Sequence, residues 1–209
     1  MLRAALNDLE LEKLVEQTAE VMRNGGVALV PTDTVYGLAC DPRHPGAAAE
    51  IFRLKDRPAD VRLPVIVTGL AQAATLGVEW TAAAAALADA FWPGPLTIAV
   101  GVDPEATDWL SGRVEIGLRA PASDLALGLA ETLGPFLMTS ANRHRHDTPG
   151  TLDEALGELA GQPGIAVDGG PLSVVSSTLV NVNLPVPIIE REAAVPAADV
   201  ERVLARVSA

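Results

Sequence analysis

Leu11, Leu14, Val15, Thr18, Val21 and Met22 recur at the three-and-four spacing of one helix face. Asp8 stands where a cap for that helix belongs, and Asn24-Gly25-Gly26 supplies a stop. Residues 27–31 (VALVP) form a short apolar run after glycines, the pattern of a buried strand. A turn-rich stretch over 41–46 leads into a helix from about Ala47 to Lys55, which must stop before Pro58 because the proline ring disfavours helix in the residue before it. Residues 63–67 (LPVIV) read as a second buried strand, 81–91 as a helix, 93–100 as a turn and strand, 114–121 as a strand, 124–133 as a helix and 135–139 as a strand. Thr151 and Glu154 have capping-box spacing ahead of a helix to about Ala160. Strands over 165–167, 178–182 and 186–189 and a helix over 199–207 close the chain. Strands and helices mix throughout, without repeat or linker, which predicts one α/β domain over residues 1–209 with a mixed sheet.

The composition fits that picture. Of 209 residues, 49% are hydrophobic and only 3% aromatic, so the apolar mass is Ala, Val and Leu, suited to helices packed on a buried sheet. The net charge of −12 argues against a broad grip on a nucleic-acid backbone, which needs a basic face, while leaving room for a local basic pocket. Cys40 is the single cysteine, so no internal disulfide forms and a reducing, cytoplasmic setting is expected. The first eight residues lack the pattern of a signal peptide, and the Ala-rich stretch at 81–92 is too short to span a membrane.

The polar clusters that carry chemistry follow predicted strands. PTDTVYGL (31–38) leaves the first strand, where Thr32 and Thr34 hydroxyls suit either a ligand pocket or a self-satisfied turn. In KDRP (55–58), Lys55 and Arg57 either complement a helix C-terminus or hold phosphates. Read as surface cations, they are expected to contribute little to stability. TSAN (139–142) and SSTLV (176–180) place small hydrogen-bonding side chains at strand ends. Arg119 and Arg191 sit at strand ends and need anionic partners, a protein carboxylate or a ligand phosphate. HRHD (144–147) falls short of the three or four ligands of a zinc site and is read as a solvated loop. Cys40 is read as core, and neither a Walker-type glycine loop nor G-x-G-x-x-G is present.

In order and spacing, PTDTVYGL, KDRP, FWPGPLT (91–97), LRAP (118–121), TSAN, SSTLV and the final Arg191-Glu192 resemble the YrdC/TsaC family, whose signature is the Lys-x-Arg and Ser-x-Asn pairs. The resemblance covers roughly residues 11–195 and the chain is about the length of the short form. It implies a twisted mixed sheet with flanking helices and a concave cleft. It implies a threonylcarbamoyl-adenylate synthase, whose substrates L-threonine, bicarbonate and ATP give threonylcarbamoyl-AMP and pyrophosphate. The adenylate then passes to tRNA threonylcarbamoyl-transferase proteins that modify the adenosine next to the anticodon. By the same resemblance, Lys55, Arg57 and Arg191 hold phosphates, with Lys55 and Arg57 as the catalytic pair, and Asn142 and Thr151 contact the nucleotide. Thr34, Ser140 and Ser177 contact threonine or its carbamate, Arg119 faces a carboxylate or phosphate with Ser123 nearby, and Tyr36 helps wall the pocket. Mg²⁺ is expected with the ATP phosphates and not from protein ligands.

The chain departs from the family pattern at several points. Ser-x-Asn is followed by Arg143-His144-Arg145-His146, Asn181 stands where relatives carry Asp, Ala193 stands in place of the Gly of Arg-x-Gly, and Val61-Arg62 replaces Asn or Met followed by Pro. These changes keep two further readings in play: a divergent paralogue with another small acceptor, and an RNA-binding module with weak tRNA contact.

Overall fold

A computed structural model of the chain describes residues 1–6, 11–57, 62–110, 112–143 and 146–207. Asp8, Pro58, Val61, His144 and Arg145, on which several of the expectations fall, lie outside the described residues. The strands are β1 (Leu2–Ala5), β2 (Ala28–Val30), β3 (Gly37–Cys40), β4 (Val65–Ile66), β5 (Leu96–Gly101), β6 (Glu115–Arg119), β7 (Phe136–Ser140), β8 (Ile165–Asp168), β9 (Thr178–Asn181) and β10 (Ile188–Arg191). The helices are α1 (Leu11–Arg23), α2 (Ala47–Leu54), α3 (Leu70–Ala74), α4 (Ala82–Phe91), α5 (Asp124–Leu133), α6 (Leu152–Glu158) and α7 (Ala197–Val207).

The strands form one open sheet in the order β1-β8-β2-β3-β7-β4-β6-β5-β9-β10. It is mixed, as expected: β1 with β8, β2 with β8, β4 with β6 and β5 with β9 are parallel, and the remaining pairs are antiparallel. The capping box is present at α6, where Thr151 Oγ1 accepts from the Glu154 amide and Glu154 reaches back to the Thr151 amide. Three elements have no counterpart in the sequence reading. β1 is an exposed edge strand, β3 is a four-residue run containing a glycine, and α3 is five residues long. Such short segments offer too few positions for a period to emerge.

The core lies on both faces of the sheet, but unevenly. On one face, α1 and α5 pack Leu14, Val15, Met22, Leu125 and Leu129 over Ala28, Val30, Ala39 and Phe136. These helices cover the β8-β2-β3-β7 half. On the opposite face, α2, α4, α6 and α7 cover the whole width, meeting Leu29, Leu38, Val65, Ile98, Leu118 and Val180. Among the described residues, no helix packs on the first face of β6, β5, β9 and β10. The strands there alternate: Leu96, Ile98 and Val100 of β5 and Ile116 and Leu118 of β6 enter the core. Their neighbours Thr97, Ala99, Glu115, Gly117 and Arg119 face the bare side.

Candidate active site

That bare side is a cleft of about 620 Å³. Its floor is small: at Gly117 an added Cβ would lie 3.3 Å from Thr97 Cγ2, and Ala99 lies alongside on β5. Its walls are cationic and hydroxylic. Arg57, Arg62, Arg113, Arg119 and Arg191 all line it, five of the fifteen basic residues of a chain whose net charge is −12. Thr34, Thr97, Thr139, Ser140, Ser176 and Ser177 supply hydroxyls. Concentrating cations over a low-dielectric floor in an acidic protein focuses positive potential where an anionic ligand enters.

At one end Arg119 leaves the C-terminal end of β6 and is spoken for by the protein. Its Nη2 donates to Asp33 Oδ1 at 2.6 Å, Nη1 to Thr34 Oγ1 at 3.0 Å and Nε to the Gly94 carbonyl at 3.1 Å. Asp33 supplies the protein carboxylate that its sequence position allowed. Burial lowers the Arg119 pKa from its ordinary value and Asp33 opposes that, while a guanidinium keeps its charge in either case. Thr34 is thereby aimed by Arg119, whereas Thr32 closes the turn, its Oγ1 accepting from the Thr34 and Val35 amides at 3.1 Å each. Across the cleft, Thr97 and Ser177 hydroxyls are 2.9 Å apart, and Arg191 donates from Nε to the Ser177 carbonyl and from Nη2 to its hydroxyl.

Lys55 overturns its expected place as a surface cation. It caps the end of α2 and its residue is only 1% exposed. Its ammonium donates to the backbone carbonyls of Ser140 and Asn142, the latter at 2.6 Å. It therefore braces the strand exit that carries Ser140, immediately behind the cleft wall. Burial, with the like charge of Arg57, pushes its pKa down to about 7, and Glu158 opposes that. Arg57 reaches the cleft itself, with Nη1 3.4 Å from Thr139 Oγ1.

The structure thus brings Thr34, Arg57, Arg119, Ser140, Ser177 and Arg191 to one cleft, with Lys55 directly behind. Asn142 adjoins it, but its side chain is held within its own loop, accepting from Ser140 Oγ at 2.6 Å and donating to the His146 carbonyl at 2.8 Å. Tyr36 is buried, with its hydroxyl donating to the Gly170 carbonyl at 2.7 Å. Ser123 caps α5 and lines a separate, smaller hollow. Thr151 caps α6 and is not among the lining residues. His146 Nδ1 lies 3.0 Å from Glu158 Oε2, and Cys40 is buried with its thiol pushed up to about 12, the state of an inert core residue. Sequence reasoning missed Asp33 as the partner of Arg119, and Thr97, Gly117, Arg113, Glu115 and Glu190 as cleft residues. The signal available for the strand residues was the alternation within LTIAVG and EIGLR.

The fold and cleft define an α/β protein with a cationic, hydroxyl-lined cleft over the uncovered half of an open sheet, chemistry suited to an anionic small molecule. Comparison with known proteins narrows the class. Residues 20–193 match the model of the Sua5/YciO/YrdC family, whose description reads "Telomere recombination". The chain belongs to this family. It is 32% identical over 197 residues to the threonylcarbamoyl-AMP synthase of Bacillus subtilis, an alignment covering 91% of this chain and 56% of that protein. Among solved structures, Pyrococcus abyssi Sua5 complexed with L-threonine superposes with a TM-score of 0.86 at 28% identity, covering 97% of this chain and 60% of that one. Escherichia coli YciO superposes with a TM-score of 0.79 at 25% identity, covering 92% and 95%. The chain therefore spans less than two thirds of the first two proteins and nearly all of the third.

Proposed function

We propose that this chain is an L-threonylcarbamoyladenylate synthase, taking L-threonine, bicarbonate and ATP as its magnesium complex and forming threonylcarbamoyl-AMP and pyrophosphate for the modification of tRNA. The observation that carries the reading is the cluster of five cleft arginines with threonine and serine hydroxyls over a glycine-alanine floor. A carboxylated threonine and a nucleoside triphosphate together present two carboxylates and three phosphates, and a cavity of this size is ordinary for a small-molecule site.

The chemistry follows from that arrangement. The threonine amine adds to CO₂ derived from bicarbonate and loses a proton, giving an N-carboxylate. One oxygen of that carboxylate attacks the α-phosphorus of ATP. The bond from the α-phosphorus to the bridging oxygen breaks, and pyrophosphate leaves with the electron pair. No protein nucleophile is needed, so catalysis is positioning and charge stabilisation. Thr34, aimed by Arg119, and Ser177, held by Arg191, are placed for the amino acid and its carbamate, in keeping with the L-threonine bound by P. abyssi Sua5. Arg57, with the Ser140 exit braced by Lys55, is placed for phosphate oxygens. Of the cleft carboxylates, Glu115 accepts from the Asn181 and Asn183 amides and Glu190 from that of Asn181. Magnesium in this reading arrives ligated by phosphates and water, and the downstream tRNA threonylcarbamoyl-transferase receives the adenylate. The net charge of −12 weighs against the RNA-module alternative.

The test is pyrophosphate release from ATP, with and without bicarbonate, offering each of the twenty amino acids in turn. Release with threonine, lost on omitting bicarbonate, is expected. Release with a different amino acid moves the chain to the paralogue reading, and release with none removes the synthase reading.

A further inference from the structure

We propose that Arg62 and Arg113 form a polyphosphate subsite at the outer end of the cleft, holding the β- and γ-phosphates of the nucleotide and the pyrophosphate that leaves. The inference rests on the synthase reading above and names two residues that the Lys-x-Arg and Ser-x-Asn pairs do not include.

Several observations converge on it. Both guanidinium side chains line the cleft. Arg62 precedes β4 and Arg113 precedes β6, and these strands are parallel neighbours with Val65 opposite Leu118 and Ile66 opposite Arg119. The chain entries carrying the two arginines therefore lie at the same end of the sheet, opposite the end occupied by Arg119. Arg113 Nη1 donates to the Leu63 carbonyl at 3.3 Å, which ties it to the residue directly after Arg62. The two charges feel each other: after burial, Arg62 is the influence that lowers the Arg113 pKa. Among the described residues, no carboxylate lies within ion-pair distance of either one. Glu115, two residues from Arg113, accepts hydrogen bonds from Asn181 and Asn183. Two adjacent guanidinium forks facing a cavity suit bridging phosphate oxygens better than they suit each other.

The reaction supplies the direction. In phosphoryl-group chemistry the attacking and leaving oxygens stand roughly in line across phosphorus. With the carbamate held at the Thr34–Arg119–Ser177 end, the leaving pyrophosphate points down the cleft, along β6. That strand runs for about 13 Å from Arg119 to Glu115 at ~3.3 Å per residue. Its far end is where Arg62 and Arg113 stand.

Binding of inorganic pyrophosphate and of AMP, measured by titration calorimetry on Arg62→Gln, Arg113→Gln and the double variant, tests this. Each single change is expected to weaken pyrophosphate roughly tenfold and the double change about a hundredfold, while AMP affinity stays within about twofold, because charge-assisted bonds of this kind set roughly a decade each. Arg62 is exposed, so its single variant serves even if Arg113→Gln loosens the entry to β4. Arg62→Lys and Arg113→Lys should recover part of the pyrophosphate affinity. Unchanged pyrophosphate affinity in the double variant overturns the subsite, and so does an equal loss for AMP and pyrophosphate. The readout needs no threonine. A wild-type protein that holds pyrophosphate through these arginines yet makes no adenylate keeps the subsite and loses the synthase reading; an active synthase with indifferent variants does the reverse.

Discussion

The two halves of the sheet solve the same burial problem differently. In the β8-β2-β3-β7 half, β2 and β3 bury every residue, because α1 and α5 lie on one face and α2 and α6 on the other. In the β6-β5-β9-β10 half, helices α4 and α7 cover one face and the other is the cleft. The first half is apolar on both sides and makes rigidity. The second is apolar on one side only, so its other side is free to carry charge. Arg119 sits on β6 directly after Leu118, the two facing opposite ways, and that single pleat separates chemistry from packing.

The comparison breaks most sharply at the seam between the halves. Lys55→Met removes the ammonium that holds the Ser140 and Asn142 carbonyls, and kcat/KM for adenylate formation should fall on the order of 10²–10³-fold, the scale of losing one preorganised donor. Leaving two acceptors without their donor should also cost ~1–3 kcal/mol in denaturant unfolding.

A paired substitution across one pleat sharpens it next. Leu118→Ala opens a cavity in the helix-covered core and should destabilise the protein by ~2–5 kcal/mol. Gly117→Leu fills the cleft floor beside Thr97, and should abolish ATP and threonine binding with little change in Tm. Equal effects of the two changes on Tm and on binding would erase the distinction between the faces.

Arg119→Ala leaves Asp33 half-sealed without its partner and is expected to cost about 3 kcal/mol of stability as well as activity. Arg191→Ala, at the exposed end of β10, should cost under about 1 kcal/mol while still weakening the ligand. Thermal melts of the two variants make the comparison.

The smallest effect is in pH. The folded pKa of Lys55 is lowered to about 7 from 10.5, so between those values the unfolded chain holds a proton that the fold releases. This group therefore contributes stability that rises as pH climbs above about 7. Nucleotide phosphates favour the ammonium, so ATP binding at pH 8 should take up a proton that binding at pH 6 does not. Calorimetry in buffers of different ionisation enthalpy reads that uptake, and Lys55→Met should abolish it.

Much of the fully covered half was legible in the sequence. The helical spacing of Leu14, Val15, Thr18 and Met22 marks α1, and the span 124–133 is matched by α5 residue for residue. Site residues were legible as motifs because Thr34, Ser140 and Ser177 follow or enter strands. Their partners were not. The pairing of Arg119 with Asp33 joins positions far apart in the chain through tertiary packing, which no local pattern encodes. Lys55 shows the same limit from the other side: a lysine at a helix end in front of Asp56 and Arg57 reads as solvated, and only the approach of the β7 exit buries it. Thr151 was read both as a cap and, through resemblance, as a nucleotide contact, and the cap is what the local geometry displays.

In the proposed function the reaction takes place over the uncovered face of β6, β5 and β9. A crystal structure of the protein with L-threonine and a non-hydrolysable ATP analogue tests it most directly. Threonine is expected between Thr34, Arg119 and Ser177, the α-phosphate beside Arg57, and the terminal phosphates between Arg62 and Arg113, all above Gly117 and Ala99. Ligands seated elsewhere, with that floor open to solvent, would contradict it.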